Sequence, residues 1–532
     1  MATATATIKR RSPRFRAPLP RRTRNGRGTS VMMRPSAVLQ PLPVCLALSG
    51  LTTMLAAPAF AQERSALVAE RVIDLRQTLT DNGRLTEDDR RSELITEIRP
   101  GIRASGRSAR VEGSLDYRLD LVQYARDSGR STYHHQLDAD GAAELVPRHV
   151  FLDVSAGVSQ QSISAFGQQS GTIDPDNSNR TDVATLSVSP SARARLAGVL
   201  DVSAVANWDA TRAKDSELGD RTDWDATVRA GATHGIFGWS LSGTRQTNGY
   251  NGGDRYISDN ATATLSVSLT PRLRISGRHG EERSDLLGNG TQRSTSNGWG
   301  FDWQPGVRTQ ISGQADRHFY GNSHSFSLSH RFRRAVVSYT DSRGVSGQDN
   351  DALGVLRQRY LQLYSSCMLA LNDAVTCERL TRALLGFNPL ESLGFLNSAP
   401  SLQRSQTLTL AVNGVRNTLT MVATSSTSER LGDQQYDAGD LSIVPRVRQY
   451  GVMAGLDHRL TPKASLSLTA SLQKTLDEDT QPGNELRRLE LSVSNDLGAR
   501  TQGTLALRRV WFDSETNPYR ESAIVGSLNH RF

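Results

Sequence analysis

Past residue 62 the dominant pattern is strict alternation. Ala109, Val111, Gly113, Leu115, Tyr117, Leu119 and Leu121 fall on one parity; Arg110, Glu112, Ser114, Asp116, Arg118 and Asp120 fall on the other. Successive side chains of a strand point to opposite faces, so the spacing predicts a strand with one apolar and one charged face. The pattern returns in Leu152, Val154, Ala156 and Val158 against Asp153, Ser155 and Ser159. Ala261, Ala263, Leu265, Val267 and Leu269 oppose Thr262, Thr264, Ser266 and Ser268. Leu466, Leu468, Ala470 and Leu472 oppose Ser465, Ser467, Thr469 and Ser471.

Soluble sandwiches alternate too, so three further features set the fold class. The predicted strands reach about ten residues, the length of a tilted membrane crossing. Connections alternate between short and long. VPRH, PSAR, HGI, TPR, QPG, FRR, NGV, TPK and LGA read as tight turns, and 162–180, 209–222, 245–258, 281–295, 430–447 and 474–485 as long polar loops. The polar parity is too rich in charge for a dry core and suits a wet lumen, with the apolar parity on lipid. The reading is all-β: a transmembrane antiparallel β-barrel of about 22 strands over 62–532, from Arg71–Thr80 to Glu521–Phe532. Long loops are expected outside the cell and tight turns in the periplasm. The segments SLSHRF (327–332), LDHRL (456–460) and SLNHRF (527–532) fall at expected periplasmic strand ends. Trp208, Trp224 and Trp511 are expected near the outer membrane rim, and Trp303, Phe332 and Phe532 near the inner one.

Charge changes the picture only at the N-terminus. The formal net charge is +9, but ten of the 63 basic side chains and none of the 54 acidic ones lie in residues 1–61. The remainder is near neutrality and lacks a basic stripe, which excludes nucleic acid as a partner class. A basic region, an apolar run from Val38 to Ala57 and the small residues Ala59 and Ala61 read as a secretory signal peptide cleaved after Ala61. Met32 and Met33 offer alternative starts, so 1–31 is read as a possible extension of the true leader. Cys45 lies in the signal core. The expected localisation is the cell outer membrane, with membrane lipid and the barrel-assembly machinery as partners.

The last strand, IVGSLNHRF, resembles the C-terminal assembly signal of outer-membrane barrels. Ile524, Gly526, Leu528, His530 and Phe532 share its outward parity, with His530 where an aromatic is more usual. TEIRPGIRASGRSARVEGSLDYRLDLVQYA, HHQLDADGAAELVPRHVFLDVSAGVSQQSISAFG and NRTDVATLSVSPSARARL, over about 96–196, resemble the PEP-CTERM system-associated outer-membrane protein family. RQTLTDN at 76–82 is similar to that family's opening strand and first outer loop. The resemblance implies a barrel in bacteria that export exopolysaccharide, with exopolysaccharide export components as partners and no catalytic residues to carry over.

Sequence chemistry is sparse. Walker, HExxH and dinucleotide motifs are absent, and no cofactor or catalytic residue is assigned. His134 and His135 are neighbours on a strand and point apart. His318, His324 and His330 gather around one hairpin, and GNSHS (321–325) lacks the second glycine of a nucleophile elbow. Asp174, Asp176 and Asn177 in one loop lack the glycine and distal glutamate of a calcium loop. The segment 341–403 breaks the alternation with helix-like stretches and holds Cys367 and Cys377, a candidate disulfide in an oxidising periplasm; a metal site is the alternative, with no histidine nearby. This insertion is expected on the extracellular side, folding into the lumen or capping it. Three functional readings follow: a pore or secretion-associated channel, a non-conducting structural or adhesion barrel presenting 341–403, and a barrel hydrolase with its site at the rim. An enzyme is the least favoured of the three.

Overall fold

The computed structural model describes residues 66–532 apart from 171–177, 215–217, 251–254, 289, 346–393, 398–399, 432–437, 477 and 479–480. Ala59, Ala61, Cys45, Cys367, Cys377, the three loop residues Asp174, Asp176 and Asn177, and the helix-like stretches of 341–403 therefore lie outside the described residues.

The alternating segments form β1 (Ala66–Thr80), β2 (Glu93–Arg107), β3 (Val111–Tyr124), β4 (Thr132–Val146), β5 (Val150–Ser162), β6 (Arg180–Leu196), β7 (Leu200–Ala213), β8 (Arg221–His234), β9 (Phe237–Tyr250), β10 (Arg255–Thr270) and β11 (Leu273–Ser284). They continue as β12 (Gln292–Gly306), β13 (Thr309–His318), β14 (Gly321–Arg331), β15 (Ala335–Val345), β16 (Ser401–Asn413), β17 (Asn417–Arg430), β18 (Arg446–Arg459), β19 (Ala464–Thr475), β20 (Asn484–Asp496), β21 (Thr501–Ser514) and β22 (Tyr519–Arg531). Every strand pairs antiparallel with its sequence neighbours, and β1 pairs with β22 from Val72↔Arg531 to Thr80↔Ala523, closing a 22-stranded barrel. Closure satisfies both edges, the condition for backbone to cross hydrocarbon.

The predicted parity holds. Leu115 and Leu121 are exposed on the outer face while Asp120 is buried on the inner one. Leu75, Ile98, Leu241, Leu265, Leu468, Leu489 and Leu505 are exposed outward on other strands. A closed barrel wearing its apolar side chains on the outside is an outer-membrane β-barrel. Strands run from 10 residues in β13 to 17 in β6, and most exceed a bilayer crossing. Outward apolar residues begin at the short turns, at Phe237, Phe332, Leu497 and Phe532, whereas outward charges such as the Arg293–Glu281 and Arg487–Glu485 pairs sit at the other strand ends. The surplus length therefore stands above the membrane on the loop side.

Several predicted boundaries are corrected; QPG at 304–306, for one, ends β12, and the chain turns at Val307 and Arg308. PSAR at 190–193 is not a turn: β6 runs through Pro190, which faces Leu152 of β5. The β7 ladder skips only positions 189 and 190 around the missing N–H and then resumes in register at Ser191↔Val205. The chain reverses instead at Ala197 (φ 50°) and Gly198 (φ 71°), the paired positive φ of a hairpin turn whose twist matches the strands. Ala109 and Arg110 belong to a turn over 108–110, and β3 starts at Val111; Ser108 closes this turn by bonding both backbone groups of Val111. The ends of 341–403 are also strand, since β15 reaches Val345 and β16 starts at Ser401.

His330 and His530 end β14 and β22 in the same way. Each Nδ1 meets the threonine opposite, Thr309 at 2.7 Å and Thr501 at 2.8 Å, and each ring packs edge-on against the following Phe332 or Phe532. The sequence echo is thus a repeated corner at the membrane's inner rim. Ile524 and Leu528 are exposed outward in β22, and Phe532 is exposed just beyond its end.

Candidate functional site

A 22-stranded barrel encloses more space than its own wall side chains fill. The site is what occupies and lines that space. On β1–β3, β6, β8, β9, β11 and β20–β22 most buried inward residues lie towards the loop ends, among them Thr80, Tyr124, Val183, Asp223, Tyr250, Ser284, Asn484, Phe512 and Tyr519, with Val72 of β1, opposite Arg531, an exception. On β15–β19 they reach down to the short turns at Val336, Ala411, Thr418 and Ser465.

The loop after β5 makes much of this burial. Asn179 folds its first turn by accepting from the Ser164 N–H and donating to the Ser164 and Gln168 carbonyls. The loop then reaches strands that are far around the ring. Thr475 of β19 and Asn484 of β20 both donate to the Ala165 carbonyl at 3.0 Å, Tyr519 of β22 donates to the Gln169 carbonyl at 2.8 Å, and Gln168 donates to the Leu85 carbonyl at 2.9 Å. A segment rooted between β5 and β6 and bonded to β19, β20 and β22 crosses the mouth of the barrel.

A second loop meets it there. A short helix, α1 (Asp440–Ile443), follows β17. Ser164 Oγ and the Ala165 N–H each donate to the Asp440 carboxylate at 2.7 Å, and Ala165, Leu441 and Val444 are fully buried around this contact. Arg430 holds the helix by donating to the Leu441 carbonyl. Phe395 packs on the same cluster, and the Leu396 N–H donates to the Ser162 carbonyl at 3.2 Å. The described tail of the long insertion thus helps to close the barrel. Burial pushes the Asp440 carboxyl up, against the lowering effect of its bonds from Ser164 and Ala165.

Below the closure, the inner wall of β1–β3 and β20–β22 is charged and internally compensated. Arg99 donates to Asp120 at 2.8 Å and pairs with Glu97, which also faces Arg76 at 3.6 Å. Arg118 bridges Asp74 at 3.2 Å and Asp116 at 3.0 Å, Arg103 meets Asp116 at 2.9 Å, and Arg508 meets Glu521 at 3.0 Å. Elsewhere the inward parity is rich in hydroxyls: Ser240, Ser242 and Thr244 on β9, Thr262, Thr264 and Ser266 on β10, and Ser467, Thr469 and Ser471 on β19.

The histidines do not form one site. His135 meets the Tyr117 hydroxyl on the outer face at 2.9 Å, whereas His134 turns to Asp182 at 3.1 Å. His330 is at the short-turn end. His324 faces outward and bonds Asp341 at 3.1 Å, and His318 faces inward. No group of His, Cys, Asp and Glu suited to a metal occurs among the described residues. The role of the loop after β5 as the closing element is not evident from the sequence. Its signal was faint: an apolar pair, Ala165 and Phe166, at the base of a largely polar long loop.

No protein-family profile and no curated protein matches the chain. Among solved structures it is similar to the siderophore receptor PirA from Pseudomonas aeruginosa, at 11% identity over 88% of this chain and 81% of that one, with a TM-score of 0.45. It is also similar to the FrpB iron transporter from Neisseria meningitidis, at 9% identity over 87% and 82%, TM-score 0.47, and to the copper transporter OprC, at 10% identity over 90% and 82%, TM-score 0.43.

Proposed function

We propose that this barrel is a gated passage for an uncharged, hydroxyl-rich solute across the outer membrane, a secretion-associated channel of the PEP-CTERM-linked class serving exopolysaccharide export. The observation that carries the reading is a polar lumen closed by loops rather than by wall side chains. Loops can withdraw without breaking the barrel. The paired charges and hydroxyl rows of the wall support a neutral saccharide over an ion, since a selective ion path keeps one sign uncompensated. A second reading, a non-conducting scaffold, is favoured by the many hydrogen bonds that tie the closing loop to the far wall.

Asp440 separates the two. A carboxyl raised in the closed state binds its proton more tightly there than in an open state that exposes it to water. Closure is then strongest in acid and weakens as pH rises through the raised value. Purified protein in a planar bilayer is expected to open more often from acid to neutral pH, while Asp440→Asn, which cannot ionise, stays closed throughout. Silence of both proteins at every pH contradicts a passage; an unchanged pH response in Asp440→Asn contradicts this gate.

A further inference from the structure

At the loop ends of β11, β13 and β14, three side chains separated in sequence meet on the inner face. His318 Nε2 lies 2.9 Å from Ser323 Oγ, and its Nδ1 is hydrogen-bonded to the Glu282 carboxylate. Glu282 is 4% exposed, whereas His318 and Ser323 are only partly buried, so the hydroxyl is reachable and the carboxylate is not. The other Glu282 oxygen accepts from the Phe319 N–H at 3.4 Å, and the Tyr320 ring stacks on the imidazole at 4.9 Å and 7°. The imidazole is therefore held on both its edge and its face. With Nδ1–H donated to Glu282, Nε2 is left as the acceptor facing Ser323.

We propose that Ser323, His318 and Glu282 form a nucleophile–base–carboxylate site that hydrolyses carboxylic esters. A hydroxyl, an imidazole and a carboxylate in this order activate a serine on unrelated folds, because geometry and not sequence position defines the arrangement. Ser323 Oγ attacks the ester carbonyl carbon as His318 Nε2 takes its proton. The bond to the alcohol oxygen breaks, and the leaving alcohol takes that proton from His318. Water then attacks the acyl-serine, passes a proton through His318 back to Ser323 Oγ, and the carboxylic acid leaves. Tyr320 also interacts with Ser323, and burial and the Glu282 charge push its phenol up to about 12, so it stays protonated at neutral pH. Leu286, Val345, Leu402 and Leu431, packed with Phe319 and Tyr320, form a buried apolar cluster that backs the site. Glu282 touches no substrate and is a positioning residue.

The test uses the full folded barrel in detergent, with p-nitrophenyl butyrate as substrate and a fluorophosphonate as probe. The probe is expected on the Ser323 peptide. Turnover is expected to fall by about 10³-fold in Ser323→Ala and by about 10²-fold or more in His318→Gln, and to be unchanged in Ser325→Ala on the same strand. Glu282→Gln is expected to lower kcat with KM unchanged and to shift the acid limb of the pH profile. An unlabelled Ser323 in the wild-type protein, a label on another serine, or wild-type turnover in Ser323→Ala overturns the proposal. The wild-type labelling result stands even if a variant fails to fold.

Discussion

Replacing residues 164–178 with a glycine–serine linker of equal length is expected to open the barrel permanently. The exchange removes the bonds from Thr475, Asn484 and Tyr519 and the partner of Asp440, but leaves Ser162 and Arg180, the ends of β5 and β6, in the wall. Wall pairing is independent of the loop, so the variant should still assemble and migrate as a compact barrel on unheated gels. Its mean conductance in a planar bilayer is expected to exceed that of the wild type by at least about an order of magnitude. It should also lose its response to pH, since Asp440 no longer has anything to close against. An unaltered conductance would place the barrier elsewhere in the lumen.

The second large effect concerns the charged wall. Arg99→Ala is expected to destabilise the barrel by about 3–5 kcal/mol, because Asp120 would remain buried without a counter-charge and Glu97 would keep only the longer contact to Arg76. Their side chains are 7% and 1% exposed. Arg99→Lys should recover only part of this, since a single ammonium cannot reproduce the guanidinium fork. Arg103→Ala is the contrast: its partner Asp116 is 30% exposed and keeps Arg118, so the cost is expected to be about 1 kcal/mol or less. Urea titrations followed by the heat-dependent gel shift measure all three. Equal costs for Arg99 and Arg103 would mean that water reaches the whole wall.

The barrel was legible because its physics is local. Leu115 and Asp116 declare opposite faces wherever they stand, and the 22-strand count follows from repeating that pattern. Boundaries were less legible where one residue overrules its neighbours. Pro190 reads as a turn, yet it is tolerated inside β6 because the adjoining ladder skips two positions; Ala197 reads as an ordinary strand residue, yet it takes φ 50° because Gly198 completes the turn. The closure was hidden for another reason. Ala165 and Asp440 are 275 residues apart, and nothing in either loop names the other. The meeting of Glu282, His318 and Ser323 was equally invisible: the histidines of that hairpin stood out, but which of them turns inward, and towards which serine, depends on the register of β13 with β14. The insertion's helix-like stretches drew attention by breaking the pattern, while the plainer loop after β5 makes the described contacts across the mouth.

Adjacent residues of one strand face lipid and water. Leu491 and Ser492 of β20 test this directly: Leu491 is 40% exposed on the outer face, and Ser492 pairs with Ser467 and Ala506 on the inner one. Each would be changed to cysteine in a chain with Cys45, Cys367 and Cys377 replaced by serine, and labelled in native outer membranes. The prediction is that Leu491→Cys reacts with a lipid-soluble maleimide and resists a charged one, and that Ser492→Cys does the reverse. Reaction of both with the charged reagent alone would put water on both sides of the sheet and contradict a membrane barrel.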